Sequence, residues 1–286
     1  MKKIAVVLTL STNRAYAAAS VMMDLKRFSP GLADEVIIFH DGIPPADQAL
    51  LSQILPVKFI HYVFPIKDLS RFSNTITDYF TFLVFSKFET FKLLNDYRCV
   101  IMLDYDILIQ GDLSVVKNPS VSGMTTIDKT AKRSAFFTEY LHDYSMEEES
   151  RIGSIWVLWD HLPNYNEIYE WCYREAERLA DKLYLPETGI ISLAMENFKF
   201  SPDQFLAQEL YDCHPSNLEY ASEAKILHCW GQPKYWNGYY SQQWEENYSI
   251  WLKMGGTPCF ERSLKYRSMH FLKTVISKLK RILPSR

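Results

Sequence analysis

The stretch Arg98 to Leu113, RCVIMLDYDILIQGDL, ends a buried-looking apolar run in two aspartates one residue apart, Asp104 and Asp106. Residues i and i+2 of a strand project from one face, so a strand through this motif would aim both carboxylates at one point beyond the sheet edge. Two hard oxygen donors at one point suit a divalent cation. A solvated strand end or turn also accounts for a lone D-x-D, because so short a motif recurs by chance.

Upstream, apolar runs of strand length alternate with helical spacing: Ile4 to Leu10, a helix near Ala15 to Phe28, Glu35 to Phe39, Val57 to Val63, then Cys99 to Leu103. This alternation predicts an α/β fold with a Rossmann-like, mostly parallel central sheet flanked by helices. Ligands of such sheets gather at the carboxyl ends of the strands, where the first loop and D-x-D both fall. The opening MKKIAVVLTLSTNRAYAAAS also has the basic start and small residues of a secretion signal. Arg14 interrupts that pattern, and an opening strand accounts for the same residues.

Far downstream, Ala224 to Asn237 reads AKILHCWGQPKYWN, a second strand-like run that ends in chemically capable groups. His228 can offer a neutral imidazole nitrogen to a metal, Gly231 permits close backbone approach, and Lys234 can meet a phosphate as a point charge. Metal plus phosphate points to a nucleotide diphosphate. Taken singly, the histidine also suits a hydrogen-bonded core position and the lysine a solvated surface.

With DYD and HCWGQPK both present, the chain resembles glycosyltransferase family 8, retaining enzymes that include bacterial lipopolysaccharide galactosyl- and glucosyltransferases. The likeness runs from the first strand to about Trp236. It implies a GT-A fold, with Asp104, Asp106 and His228 as ligands of Mn²⁺ or Mg²⁺, and with Asp104, Gly231 and Lys234 at the donor diphosphate. In the first loop, Ser11, Thr12, Asn13 and Tyr16 stand where the family binds the base, with Tyr16 placed to stack on a uracil. The acid often found in that loop is missing. Lys87 occupies a position where the family usually has an arginine touching the nucleotide sugar; it keeps the charge without the bidentate fork. Gly153 and Ser154 match a small-residue turn that passes close to the donor sugar. Glu187 and Thr188 fall where members often have D-Q-D, which makes Glu187 the candidate catalytic carboxylate, although a helix N-terminal acid would look the same. Asp203 and Gln204 are a rival placement of that motif.

Composition suits an ordinary enzyme. The 286 residues allow one large domain or two small ones, and 48% hydrophobic content supplies ample core. Aromatic residues make up 15%, and Trp230 and Trp236, which flank HxxGxxK, are candidate sugar platforms. Five cysteines without C-x-x-C spacing argue against a zinc site or disulfide framework and favour a reducing compartment. No run approaches the ~20 apolar residues of a membrane span. The acidic run Asp143 to Glu149 reads as a solvated, mobile loop. Although the whole chain carries a net charge of −3, the segment from Arg262 to Arg286 holds basic residues and no acid, with apolar residues at near-helical intervals. It reads as a basic amphipathic helical tail, residues 262–286, following a catalytic domain of residues 1–261. Such a helix either lies on anionic membrane or packs on the domain. The charge is too local, and lacks the motifs, for a nucleic-acid partner.

With these features, the resemblance implies a metal-dependent retaining enzyme. It would move glucose or galactose from a UDP-sugar to a surface polysaccharide, lipopolysaccharide or lipid-linked glycan, in the cytoplasm or peripherally on the inner face of the cell membrane. A metal-dependent nucleotidyl- or phosphotransferase and a catalytically silent GT-A scaffold are the alternatives. The absence of a glycine-rich P-loop counts against the usual NTPase form of the first.

Overall fold

The computed structural model describes residues 3–73, 75–126, 128–150, 153–200, 204–264 and 268. The chain opens β1 (Lys3–Leu10), α1 (Ala15–Phe28), β2 (Glu35–His40), α2 (Pro45–Ile54), β3 (Val57–His61), the alternation expected from the sequence. After α3 (Glu89–Leu93) come β4 (Tyr97–Leu103), β5 (Ile107–Ile109), β6 (Gly123–Thr126), β7 (Asp128–Lys132), β8 (Glu149–Ser150) and β9 (Ile155–Trp159). The remainder is α4 (Tyr165–Arg178), α5 (Pro186–Asn197), β10 (Gln204–Leu206), α6 (Gln208–Tyr211), β11 (Ile226–His228) and α7 (Gln242–Lys253).

Among the described residues the main sheet runs β10-β6-β9-β4-β1-β2-β3. Strands β4, β1, β2 and β3 are parallel, and β9 inserts antiparallel to both β4 and β6. Both faces are buried. Along β1, Ile4, Val6 and Leu8 enter one core with α1, α2 and α7, while Ala5 and Val7 enter the other with α3, α4 and α5. A strand covered on both sides reads as a continuous apolar run, which is why β1, β2 and β4 are so legible in the sequence. Among the described residues no helix is long and apolar enough to cross a membrane.

Three expectations change. Asp104 and Asp106 do not share a strand: β4 ends at Leu103, β5 starts at Ile107, and the motif is the bend between them. The run Tyr79 to Asn95, YFTFLVFSKFETFKLLN, has helical spacing that predicts one helix, but the chain forms a π turn over Thr75–Phe80, a 3-10 segment over Phe82–Phe88 and the short α3. Here Phe82, Phe85 and Phe88 face a crowd of aromatic rings with Phe64, Phe72 and Tyr173, and packing overrides helical periodicity. The acidic run after Asp143 is solvated in part, Asp143 and Glu147 being exposed, but it is also anchored: Met146 is fully buried, and Glu148 pairs with the buried Arg133 at 2.8 Å. Most of the expected tail, residues 265–267 and 269–286, lies outside the described residues. Its first residue, Arg262, packs over Trp244 and Tyr248 and pairs with Glu245 at 2.9 Å, so the folded body reaches at least that far.

Helix α7 is locked to α1 through a buried polar contact. Asn247 Nδ2 donates to Asp24 Oδ1 (2.8 Å) and Ser20 Oγ (3.1 Å), while the Ile109 amide donates to Asp24 Oδ2 (3.2 Å). Burial pushes the Asp24 carboxyl up to about 6, against the pull of those donors. Because this value lies above the ordinary 3.8, folding takes up a proton between the two, and the group's contribution to stability is lost as pH rises through about 6. Replacing Asn247 with Ala strips a donor from the ionised form. Denaturant titration should show a loss of about 1–3 kcal/mol at neutral pH, shrinking as the pH falls below that of Asp24 ionisation. A loss independent of pH would mean the carboxylate is not the group that Asn247 serves.

Candidate active site

The site forms where two turns meet. β9 runs antiparallel to β4 with Ile155 opposite Leu103, and the Asp104 amide donates to the Ser154 carbonyl at 3.1 Å, ending the strand. β11 pairs antiparallel with β5, His228 opposite Ile107, and the Cys229 amide donates to the Asp106 carbonyl at 3.0 Å. This register sets His228 beside the two aspartates. Its Nε2 lies 3.3 Å from Asp106 Oδ1 and 3.7 Å from Asp104 Oδ2.

The other imidazole nitrogen, Nδ1, is 2.8 Å from Asp212 Oδ1. Asp212 follows α6 and also accepts from the Ser154 amide at 3.1 Å. A Cβ on Gly153 would sit 2.0 Å from Thr126 Oγ1 and 2.4 Å from Asp212 Oδ2, so glycine is what lets this backbone close against the carboxylate. Asp212 lies in no recognisable motif, and sequence reading missed it.

Two lysines complete the cluster. Lys234 Nζ donates to Asp106 Oδ2 and, at 2.7 Å, to the Cys229 carbonyl. Gly231, at φ +68°, provides the left-handed turn that brings the lysine back. Lys87 Nζ bridges Asp104 Oδ1 and Glu187 Oε1, 2.9 Å from each. Glu187 is in the first turn of α5 and buried. Thus Lys87, Asp104, Asp106, Gly153, Glu187, His228 and Lys234 are brought into one connected cluster.

Burial is the largest single influence on each of four groups, Asp104, Asp106, His228 and Lys87, but in the last three the neighbouring charges together prevail over it. It pushes the Asp104 carboxyl above the usual range despite Lys87. It opposes ionisation of Asp106 as well, but His228 and Lys234 outweigh it and hold that carboxyl below the usual range. For His228, burial disfavours the charged ring, and Asp106 and Asp212 overcome this and lift it to about 10. The Lys87 ammonium is raised in the same way, Asp104 and Glu187 prevailing over burial.

One ligand atom each from Asp104, Asp106 and His228 lies within 4.8 Å of the other two. An ion about 2.0–2.2 Å from two donors tolerates a donor separation of up to about 4.4 Å, so both carboxylate contacts of His228 suit a shared divalent ion. Asp212 on the far nitrogen is the partner expected of a metal-binding histidine.

The first loop departs from expectation. Asn13 is exposed, within 3.4 Å of the Ser11 hydroxyl. Thr12 donates through its amide (2.6 Å) and hydroxyl (2.7 Å) to Asp41, so an acid does reach this loop, from the end of β2. Tyr16 does not offer a face for stacking: it is 2% exposed, packed edge-on against Trp236, Trp244 and Tyr248, and its hydroxyl accepts from Arg14 at 2.6 Å. Trp236 is no platform either, being buried and stacked on Tyr105. Trp230 is 44% exposed, its ring 5.4 Å from that of His228. Asp203 lies outside the described residues, and Gln204 opens the edge strand β10 beside Asn118.

A search of curated proteins gives no match. Among solved structures, the chain is similar to the WbbM bifunctional glycosyltransferase in its apo form, with a TM-score of 0.65 and 15% identity over 92% of this chain and 52% of that one. It thus spans about half of WbbM. It is similar over 87% of its length to the galactosyltransferase LgtC in complex with donor and acceptor sugar analogs, covering 99% of that chain (TM-score 0.65, 13% identity). A third likeness, to apo-form GlyE of Streptococcus pneumoniae TIGR4, has a TM-score of 0.55 and 13% identity over 89% of this chain and 64% of that one. At these identities the likenesses establish the fold, which is GT-A. The model of Glycosyl transferase family 8 matches residues 5–156, more than half of the chain, from within β1 to the start of β9 and including both aspartates. The chain therefore belongs to glycosyltransferase family 8, and it is a glycosyltransferase.

Proposed function

We propose that this enzyme moves a hexose, glucose or galactose, from a UDP-sugar to a surface polysaccharide, lipopolysaccharide or other glycan, with retention at the anomeric carbon. The convergence of Asp104, Asp106 and His228 carries the reading: two carboxylates and an imidazole are a donor set for Mn²⁺ or Mg²⁺. Bound there, the ion supplies positive charge to the departing diphosphate. The donor and acceptor sugar analogs bound in LgtC support a sugar nucleotide as substrate.

The chain's own residues then divide the work. Lys234, now on Asp106, turns to the diphosphate as a point charge, and Gly231 opens the loop for it. Asn13 in the first loop contacts the nucleoside. Lys87 holds Asp104 and Glu187 in fixed relation. The Gly153 backbone borders the donor sugar. Glu187 stands as the carboxylate for the anomeric carbon, either stabilising positive charge or attacking it. In the first case the acceptor hydroxyl attacks on the face that UDP leaves, and a phosphate oxygen receives its proton. In the second, Glu187 displaces UDP, and the acceptor oxygen then displaces Glu187 as its proton passes to a phosphate oxygen of the departing UDP.

UDP release from UDP-glucose and UDP-galactose tests this directly. Release should be stimulated by Mn²⁺ and fall by roughly 100-fold or more in Asp106→Ala, with circular dichroism unchanged. Pyrophosphate as the product, or full activity in the variant, would overturn the assignment.

Metal binding by His228 requires the neutral ring, and the proton it competes with is held up to about 10. Raising pH from about 6 to 8 should therefore tighten Mn²⁺ binding by up to about tenfold per unit. Calorimetry in buffers of different ionisation enthalpy should detect proton release. Affinity flat across that window would remove the histidine from the ligand set.

For the basic segment after Leu264, we infer peripheral contact with anionic lipid at the inner membrane face. Truncation after Leu264 should weaken sedimentation with phosphatidylglycerol vesicles by about tenfold while sparing turnover on a soluble acceptor. Equal sedimentation of both forms would exclude the lipid contact.

A further inference from the structure

Glu261 lies far outside the part of the chain matched by the family model, yet its carboxylate meets two of the three segments that form the site and supports the third. Oε1 pairs with Arg14 of the first loop. Oε2 accepts from Trp236 Nε1 at 2.8 Å and from Asn237 Nδ2 at 2.9 Å. The Asn237 side chain in turn accepts from the Lys234 amide at 2.6 Å, which fixes the turn that carries the lysine. Trp236 stacks on Tyr105, the residue between the two aspartates, with ring centroids 6.0 Å apart and planes at 20°. The Arg14 guanidinium lies over the Trp236 ring at 5.2 Å. The Glu261 side chain is 12% exposed and that of Arg14 19%, so the pair is screened from water and its loss is felt.

We propose that Glu261 is a positioning residue for the nucleotide donor, a single carboxylate that holds the first loop, the D-x-D bend and the Lys234 loop in register. This rests on the donor reading above. It assigns to the segment after α7 a part in donor affinity, without contact between Glu261 and the reacting atoms. Side chains that orient the groups touching a ligand act on affinity through geometry, so the effect falls on donor binding before turnover.

Glu261→Gln, which keeps the size and loses the charge, is the first variant, and Arg14→Gln the second. The expected result is a rise of roughly tenfold in the Kd for UDP with Mn²⁺ and in the donor KM, with kcat and acceptor KM within about twofold. The double variant should be no worse than the poorer single one, because both remove the same link. Hydrogen exchange of the unliganded protein should quicken in residues 11–14 and 231–237 of Glu261→Gln and stay unchanged in β1 and β4. Donor constants within about twofold of wild type, or a fall in kcat at unchanged UDP affinity, would overturn the proposal. So would unchanged exchange in both loops, or faster exchange throughout the protein, which would mark a general loss of stability. A wild-type protein that binds no UDP and releases none would sink the donor reading instead, and loop exchange would still decide whether Glu261 ties these segments together.

Discussion

Four carboxylates lie within one small region, and the structure depends on the three basic groups threaded between them. Asp104 and Glu187 share Lys87; Asp106 faces Lys234 and His228; Asp212 holds the far side of the same imidazole. An ionised carboxylate taken from water without a partner costs several kcal/mol, so the acids can be this close only because each has a cation or a proton donor within reach. The differing drift of Asp104 and Asp106, one upward and one downward, follows from that uneven sharing. A divalent ion at the triad would relieve the pair more completely than a protonated ring does, and it would free Lys234 for anionic substrate while Lys87 stays on Glu187.

The fold supplies this arrangement with short, stiff connections. A sheet covered on both faces fixes β4, the antiparallel β9 places the Ser154 carbonyl over the Asp104 amide, and the two-stranded ribbon of β5 and β11 carries the histidine. The glycine at 153 and the left-handed glycine at 231 lie where backbone must pass a carboxylate or double back toward it.

How much of this was readable beforehand follows from the range of each interaction. The run from β1 to β3 and the strand before D-x-D were legible because burial on both faces writes itself into local composition. Asp104, Asp106, His228 and Lys234 were legible through a pattern of two short motifs. Asp212 and Glu261 were not, since each acts through one long-range contact and sits in an undistinguished local sequence. Tyr16 and Trp236 show the reverse failure: one lies in a segment loosely resembling the family's base site and the other beside HxxGxxK, but an aromatic side chain gives no sign in one dimension of whether its ring faces a ligand or the interior. The broken helix before α3 is a third kind, where helical spacing is real and mutual packing of phenylalanines bends it.

The ribbon of β5 and β11 also bears on how the protein is made. Asp104 and Asp106 leave the ribosome well before His228 and Lys234 exist, so a nascent chain that has completed its parallel strands still carries those acids without two of their counter-charges. The N-terminal half can reach its sheet early, while the catalytic pocket is among the last parts to settle. Until β11 is made, β5 lacks the strand it pairs with in the structure, and an unpaired strand edge is a point at which association between chains would begin.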